Sequence, residues 1–367
     1  MPENLRPQRY AVALACCPAA LRGEHVCGHA RQPGKKLRVV SWVQSSRSGA
    51  SGWQRRSTAS CCGRPEFSEG TRSNLPADGH VDARRPGWRR GLAGAADFAK
   101  RRLAGDYEVD PFGFDPDLNS AVIMPAALAL YRNWFRVQAR GLEHIPEQGP
   151  ALIVANHSGV VPLDAIMLQA CVYAEHPAGR NVRLLTADLV YTLPVLASLA
   201  RRSGHARADP ARAMQLLAAG ELVGVFPEGF KGIGKPFRER YRLQRFGRGG
   251  FARTALQASV PLIPCAIVGA EEIYPMLGNS ELLARALRLP YFPLTPLFPW
   301  LGPLGAVPLP SNWVIEFCAP VQTNELMPGA QNDEPDDELV ADVADQVRDT
   351  IQAKLDELLI ERGPAFS

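Results

Sequence analysis

The amino-acid sequence predicts an α/β fold: a mixed, largely parallel sheet covered by helices, behind an N-terminal extension without a core of its own. Three observations carry this. From residue 118 onward, short apolar segments alternate with longer helix-like ones. Three of the short segments (151–155, 222–226 and 260–269) are almost continuously apolar, the pattern of buried strands, and 182–186 reads as a further strand. Residues 1–90, in contrast, are rich in Arg, Ser, Gly and Cys and show no sustained period of 2 or 3.6.

Composition agrees with this division. The 367 residues are 46% hydrophobic, as in globular proteins, with a net charge of +4. That charge is uneven: residues 1–102 carry 19 Lys/Arg against 7 Asp/Glu, and the rest carries 22 against 30. The basic excess therefore belongs to the extension. Arg55-Arg56, Arg84-Arg85 and Arg89-Arg90 are read as a solvated tail, so no nucleic-acid partner is expected. Residues 1–90 read as a disordered basic extension, or as chain upstream of a true start near residue 90. Tyr10–Leu21 resembles a signal peptide only in part, with Glu3 and Pro18 against it. No uninterrupted apolar stretch of membrane-spanning length occurs. Cys171, Cys265 and Cys318 sit singly in apolar runs and read as core residues, and no four-ligand metal spacing is found.

The second domain is expected to run from 91 to 367. Residues 92–103 form a basic helix. Asp115-Pro116 caps an apolar helix over 118–134, which Pro125 should kink. A short strand at 135–139 and a turn at 145–150 lead into the strand Ala151–Ala155. This strand ends in Asn156-His157-Ser158-Gly159, and Asp164 opens the next helix, to about Tyr173. There follow a strand at 182–186, an apolar helix at 190–200 containing Pro194, and a loop with Gly204 and Arg207. A helix capped by Asp209-Pro210 covers 211–219. The strand 222–226 ends in Pro227-Glu228-Gly229, and a basic loop follows over 230–246. A helix at 251–258 precedes the strand 260–269, whose Pro261 and Pro264 suggest an edge or a bulge. Seven prolines between Pro290 and Pro310 exclude a spanning helix there. That segment reads either as an apolar flap against a bilayer or acyl chain, or as a loop packed on the core. A strand at 313–317 and a long helix with Leu339, Val343, Val347, Ile351, Leu355 and Leu359 on one face close the chain.

Ligands of open α/β sheets bind beyond the C-terminal strand ends, where His157 and Glu228 both fall. A histidine there with a carboxylate one loop away is a base with its orienter. The same pair also occurs as a helix cap in purely structural settings. No Gly-x-Ser-x-Gly, phosphate loop or dinucleotide fingerprint is present.

Taken together, Asn156-His157 with Asp164, Gly204 with Arg207, Phe226-Pro227-Glu228-Gly229 and Val260-Pro261-Leu262-Ile263-Pro264 resemble the glycerophospholipid acyltransferase family over residues 118–320. The resemblance implies a glycerolipid-acyltransferase-like sheet. It also implies transfer of a fatty acyl group from acyl-CoA or acyl carrier protein to the hydroxyl of a lysophospholipid or other glycerolipid. Both are substrates, so no cofactor and no metal are expected. Two departures stand out. The family places its Asp four residues beyond the His, a position held here by Pro162, so Asp164 takes the role across a longer loop. The Arg expected five residues after Gly204 is Asp209, and Arg207 substitutes for it, with Arg212 the lesser candidate. On this reading His157 is the general base and Asp164 orients it. The Ser158-Gly159 amides face the oxyanion, Glu228 holds the acceptor's glycerol hydroxyls, and Gly229 gives access. Arg207, Lys231 and Lys235 bind the acceptor phosphate. Asn156, Phe226 and Pro227 complete the substrate-binding set. The protein is expected to be peripheral on the cytoplasmic face of the plasma membrane. A thioester hydrolase using the same dyad, or a non-catalytic membrane lipid-binding protein, is the alternative.

Overall fold

The computed structural model describes residues 41–45, 52–56 and 87–366, apart from 159–160, 162, 193, 288–291 and 330–332. The chain divides into two compact units, Met1–Val81 and Asp82–Ser367. The described part of the first is an antiparallel hairpin of β1 (Ser41–Ser45) and β2 (Gly52–Arg56), which the sequence reading does not anticipate. Apart from residues 87–90, which begin a helix over Gly87–Ala104, the rest of the extension, the candidate signal segment and the early cysteines included, lies outside the described residues.

The second unit holds a seven-stranded sheet. Its strands are β3 (Gln138–Arg140), β4 (Ala151–Ala155), β5 (Val182–Thr186), β6 (Ala206–Arg207), β7 (Leu222–Val225) and β8 (Leu262–Val268), with β11 (Val314–Phe317) completing it. A further small pair, β9 (Gly278–Asn279) and β10 (Pro293–Leu294), lies in the connection between β8 and β11. The sheet order is β3-β11-β8-β4-β7-β5-β6. Strands β8, β4, β7, β5 and β6 are mutually parallel; β11 runs antiparallel to β8, and β3 is parallel to β11. The sheet is thus mixed and largely parallel. Its centre, β4, is entirely buried, and alternate residues feed opposite faces. Ala151, Ile153 and Ala155 join the core under helix α1 (Leu163–Glu175). Leu152 and Val154 join the core under α2 (Pro210–Ala218), α3 (Gly250–Ala258) and α4 (Asp337–Arg362).

The prolines of β8 do not put it at an edge: it lies between β4 and β11, buried along its whole length. The missing N–H of Pro264 is accommodated by the segment that follows the neighbouring strand β11. Phe317 pairs with Cys265, yet Leu262 bridges Val321, so one extra residue is taken up between Cys318 and Val321. That slip is a β-bulge, and the Pro264 carbonyl is satisfied by the Cys318 N–H. The helix carrying Pro125 adapts in a related way. Its α-helical turn Met124–Ala129 is flanked by π-turns at Asn119–Ile123 and Leu130–Trp134, which open the backbone around the proline. The sequence places Arg207 in a loop; it is instead the last residue of β6, the edge strand.

Candidate active site

His157 stands two residues beyond β4, on the edge of the sheet where all five parallel strands end. Its Nδ1 is 2.8 Å from Asp164 Oδ2, so the longer loop does bring the two together. Asp164 is fully buried, in the first turn of α1. Oδ2 also accepts the Ser158 N–H (2.8 Å), and Oδ1 accepts the Ala165 N–H (2.8 Å). A carboxylate held in this way accepts a hydrogen bond from Nδ1–H, which leaves the lone pair of the neutral imidazole on Nε2. The positive end of α1 adds a favourable field at the carboxylate. The imidazole keeps 14% of its side-chain surface open, and the Phe226 ring packs on it with centroids 4.6 Å apart. The ring is therefore held on one edge and one face.

The backbone of the same turn is fixed from the other side. The His157 N–H donates to Glu228 Oε1 (2.9 Å), and Glu228 Oε2 accepts the Gln244 N–H (2.7 Å). Glu228 is buried, at the end of β7. Lys235 Nζ lies 3.5 Å from Glu228 Oε2 and 3.0 Å from Glu271 Oε1, and donates to the Arg242 carbonyl at 3.2 Å. Glu271 also receives the Tyr241 N–H (3.0 Å). Burial pushes the Glu271 carboxyl up to about 7, although Lys235 pulls the other way. Two buried carboxylates thus share one ammonium behind the base.

These contacts revise several assignments. Glu228 has both oxygens engaged by backbone amides and faces the protein rather than an acceptor. Lys235 is buried between two carboxylates and is not a phosphate ligand. Asn156 is buried too: its Nδ2 donates to the Ile267 carbonyl (3.0 Å) and its Oδ1 accepts the Ile267 N–H (2.7 Å). It therefore locks the end of β4 to β8. The Ser158 N–H belongs to Asp164, which removes it from any oxyanion hole, while its buried hydroxyl has no hydrogen-bond partner. Gly159 lies outside the described residues. Gly229 takes a positive φ of 54° with open space where a Cβ would stand. Pro227 forms the bend between β7 and Glu228. Lys231 is exposed in the short helix Phe230–Ile233. Arg207 is 64% exposed, 3.8 Å from Asp188, with its guanidinium over the Tyr191 ring. It ends β6, three strands from β4 and so about 14 Å across the same sheet edge.

The sequence reading does not link Glu271 to Lys235. The signal was available: Glu271-Glu272 closes an apolar strand, the position that singled out His157 and Glu228. Among the described residues no group of three or more His, Cys, Asp or Glu side chains converges as metal ligands, and no helix is long and apolar enough to cross a membrane.

Residues 136–268 match the Acyltransferase family, a span that holds every residue of the dyad and of the Glu228 clamp except Glu271. An uncharacterized protein of Mycobacterium tuberculosis (strain H37Rv) is 53% identical over 275 residues, 75% of this chain and 76% of that protein. A bovine (Bos taurus) protein named DGAT1/2-independent enzyme synthesizing storage lipids is 29% identical over 169 residues, covering 45% of this chain and 49% of the relative. Among solved structures, a 1-acyl-sn-glycerophosphate (LPA) acyltransferase from Thermotoga maritima is similar at a TM-score of 0.44 and 16% identity, over 74% of this chain and 97% of that one.

Proposed function

The chain belongs to the acyltransferase family, and on that premise we propose that it moves a fatty acyl group from a thioester, acyl-CoA or acyl carrier protein, to the hydroxyl of a lysophospholipid or related glycerolipid. The observation that carries this reading is the His157–Asp164 contact at an open strand end. In the reaction, Nε2 of His157 takes the proton of the acceptor hydroxyl as that oxygen attacks the thioester carbonyl. Asp164 holds the imidazole and offsets the positive charge it acquires. The intermediate collapses with loss of the thiolate, which recovers the proton from the imidazolium. Glu228 keeps the base at its station through the backbone rather than touching substrate. For an acceptor phosphate, Arg207 and Lys231 are two exposed cations near this edge.

The surface around the edge suits a lipid phase. Val195, Leu196 and Leu199 lie exposed on a helix reached from β5, and Trp300 (74% exposed), Leu301 and Leu304 lie on the segment reached from β8. Both segments leave the C-terminal ends of parallel strands, so they stand on the same side of the sheet as His157. We read them as interfacial contacts of a peripheral enzyme. The test is thiol release from acyl-CoA by the full chain, with lysophosphatidic acid, with a neutral glycerolipid alcohol, and with no acceptor. Acceptor-dependent release with formation of the acylated lipid is expected. Release that ignores every acceptor and yields free fatty acid would make the protein a hydrolase instead.

A further inference from the structure

Lys235 and Glu271 are buried charges that take no part in the proton transfer. The Lys235 side chain is 3% exposed and that of Glu271 5%. Taking charges out of water is costly, and a packed apolar set of the same volume is often as stable, so stability alone does not account for the cluster.

The cluster forms a line that ends on the base. Glu271 Oε1 accepts from the Lys235 ammonium and from the Tyr241 N–H, both at 3.0 Å. The ammonium is 3.5 Å from Glu228 Oε2, which accepts the Gln244 N–H at 2.7 Å. The other Glu228 oxygen accepts the His157 N–H at 2.9 Å. The loop on the far side is pinned. Tyr241, in the left-handed region at a φ of 63°, accepts from Gln352 Nε2 of α4 on its carbonyl (2.9 Å) and from the Gly269 N–H on its hydroxyl (2.9 Å). Gln352 Oε1 in turn accepts the Leu243 N–H at 3.0 Å. The other groups near Glu271 are already paired or neutral. Glu272 holds Arg362, at the end of α4, with both oxygens at 2.6 and 2.8 Å. Burial pushes the Tyr241 hydroxyl well up, so it stays protonated, and exposed Arg242 meets the ammonium through its carbonyl at 3.2 Å. The place of the ammonium is therefore set by the balance of two carboxylates. With Glu271 ionised, it sits nearer Glu271, and Glu228 stays with its two amides. With Glu271 neutral, Glu228 is its remaining charged neighbour, and closing the 3.5 Å gap draws that carboxylate off the amide of the base turn.

We propose that Lys235 and Glu271 are positioning residues for acyl transfer: ionised Glu271 restrains the ammonium so that Glu228 holds the turn carrying His157, and protonating Glu271 releases that turn. Burial pushes the Glu271 carboxyl up to about 7, so kcat falls as pH drops through that value. The proposal rests on the acyl-transfer reading, and its test separates the two. The full chain and Glu271→Gln, which keeps an accepting oxygen without the charge, are compared in acceptor-dependent thiol release from acyl-CoA, with equal melting temperatures confirming the fold. At about pH 8 the variant should lose about 3- to 10-fold in kcat with both KM values within about 2-fold, since the pair touches no substrate and a sub-ångström shift of the base costs that much. On acidification the wild-type kcat should fall with the dependence of two protons, one on His157 and one on Glu271, and that of the variant with one. A second readout needs no turnover. In full chain labelled with 15N-histidine and 15N-tyrosine, the Tyr241 and His157 amide resonances should step together near pH 7, and this shared step should vanish in Glu271→Gln. A pH profile shared by wild type and variant, a loss confined to KM, or a Tyr241 step that His157 does not follow would each overturn the assignment. Amides that step together in a protein that transfers no acyl group would instead sink the acyl-transfer reading and leave the coupling of Glu271 to the His157 turn standing.

Discussion

Replacing Asp164 by Asn keeps the side chain's size and removes its charge, which makes it a sharp probe of the dyad. In the native site one oxygen serves both His157 Nδ1 and the Ser158 N–H, and the other serves the Ala165 N–H. An amide can satisfy only one side of this arrangement. With its oxygen toward His157, its NH2 is driven against the Ala165 N–H. Flipped, the NH2 meets the Ser158 N–H and donates to Nδ1, which moves the ring proton to Nε2 and blocks the base. In either pose the imidazolium formed during transfer loses its counter-charge in a site that is dry on the Asp164 side. General-base catalysis contributes about 10²- to 10⁴-fold, or roughly 3 to 5 kcal/mol of barrier. The acceptor-dependent kcat of Asp164→Asn should therefore fall by about that factor with KM values little changed. The assay is thiol release from acyl-CoA at saturating acceptor. Activity within about 3-fold of wild type in a folded variant would refute the assignment of Asp164 as orienter.

Three further perturbations test the surroundings of the base. Lys235→Met leaves Glu228 and Glu271 buried without their shared cation, so urea denaturation should show a loss of about 3 to 5 kcal/mol; a loss under about 1 kcal/mol would mean the ammonium does not hold this network. Gly232→Ala places a Cβ 2.8 Å from both Glu228 Cβ and the His157 carbonyl oxygen, so kcat should drop about tenfold or more by displacement of the base; unchanged kcat would show that the turn yields freely. His205, bonded to Thr186 and Gln169, is pushed down by burial to about 4, so the unfolded chain takes up a proton below the ordinary histidine value of about 6.5 before the native state does. Its contribution is present above that value and is lost as pH falls toward 4, while Glu271, shifted the opposite way, gains stability on acidification from about 7. The stability difference between wild type and His205→Gln should accordingly shrink between pH 6.5 and 4, by up to about 3 kcal/mol, and a difference independent of pH would contradict the burial of a neutral ring.

Much of the fold is legible because parallel strands buried on both faces write themselves as apolar runs, as 151–155 and 222–226 do. The dyad was legible for a related reason: a strand that stops at a polar residue advertises the edge where chemistry sits. What the sequence did not reveal depended on partners distant in the chain. Pro264 looked like an edge marker because the bulge that absorbs it is at Cys318–Val321. Glu228 and Asn156 looked like substrate contacts because a polar residue at a strand end is equally consistent with a lock on a neighbouring strand. Only the approach of Gln244 and Ile267, 16 and 111 residues away, distinguishes the two. Arg207 reads as a loop residue in the sequence because β6 is two residues long, too short for any period to show.

The most direct test of the account is the replacement of His157 itself. Acyl-CoA, the acceptor that supports turnover and full-length His157→Ala are combined, and thiol release and acylated lipid are followed together, with a melting curve to verify the fold. The account predicts that both products fall by at least about a hundredfold while the melting temperature stays near that of wild type, since the side chain removed is partly open and the backbone N–H that Glu228 holds is retained. Acyl transfer that continues at wild-type rate without the imidazole would contradict it.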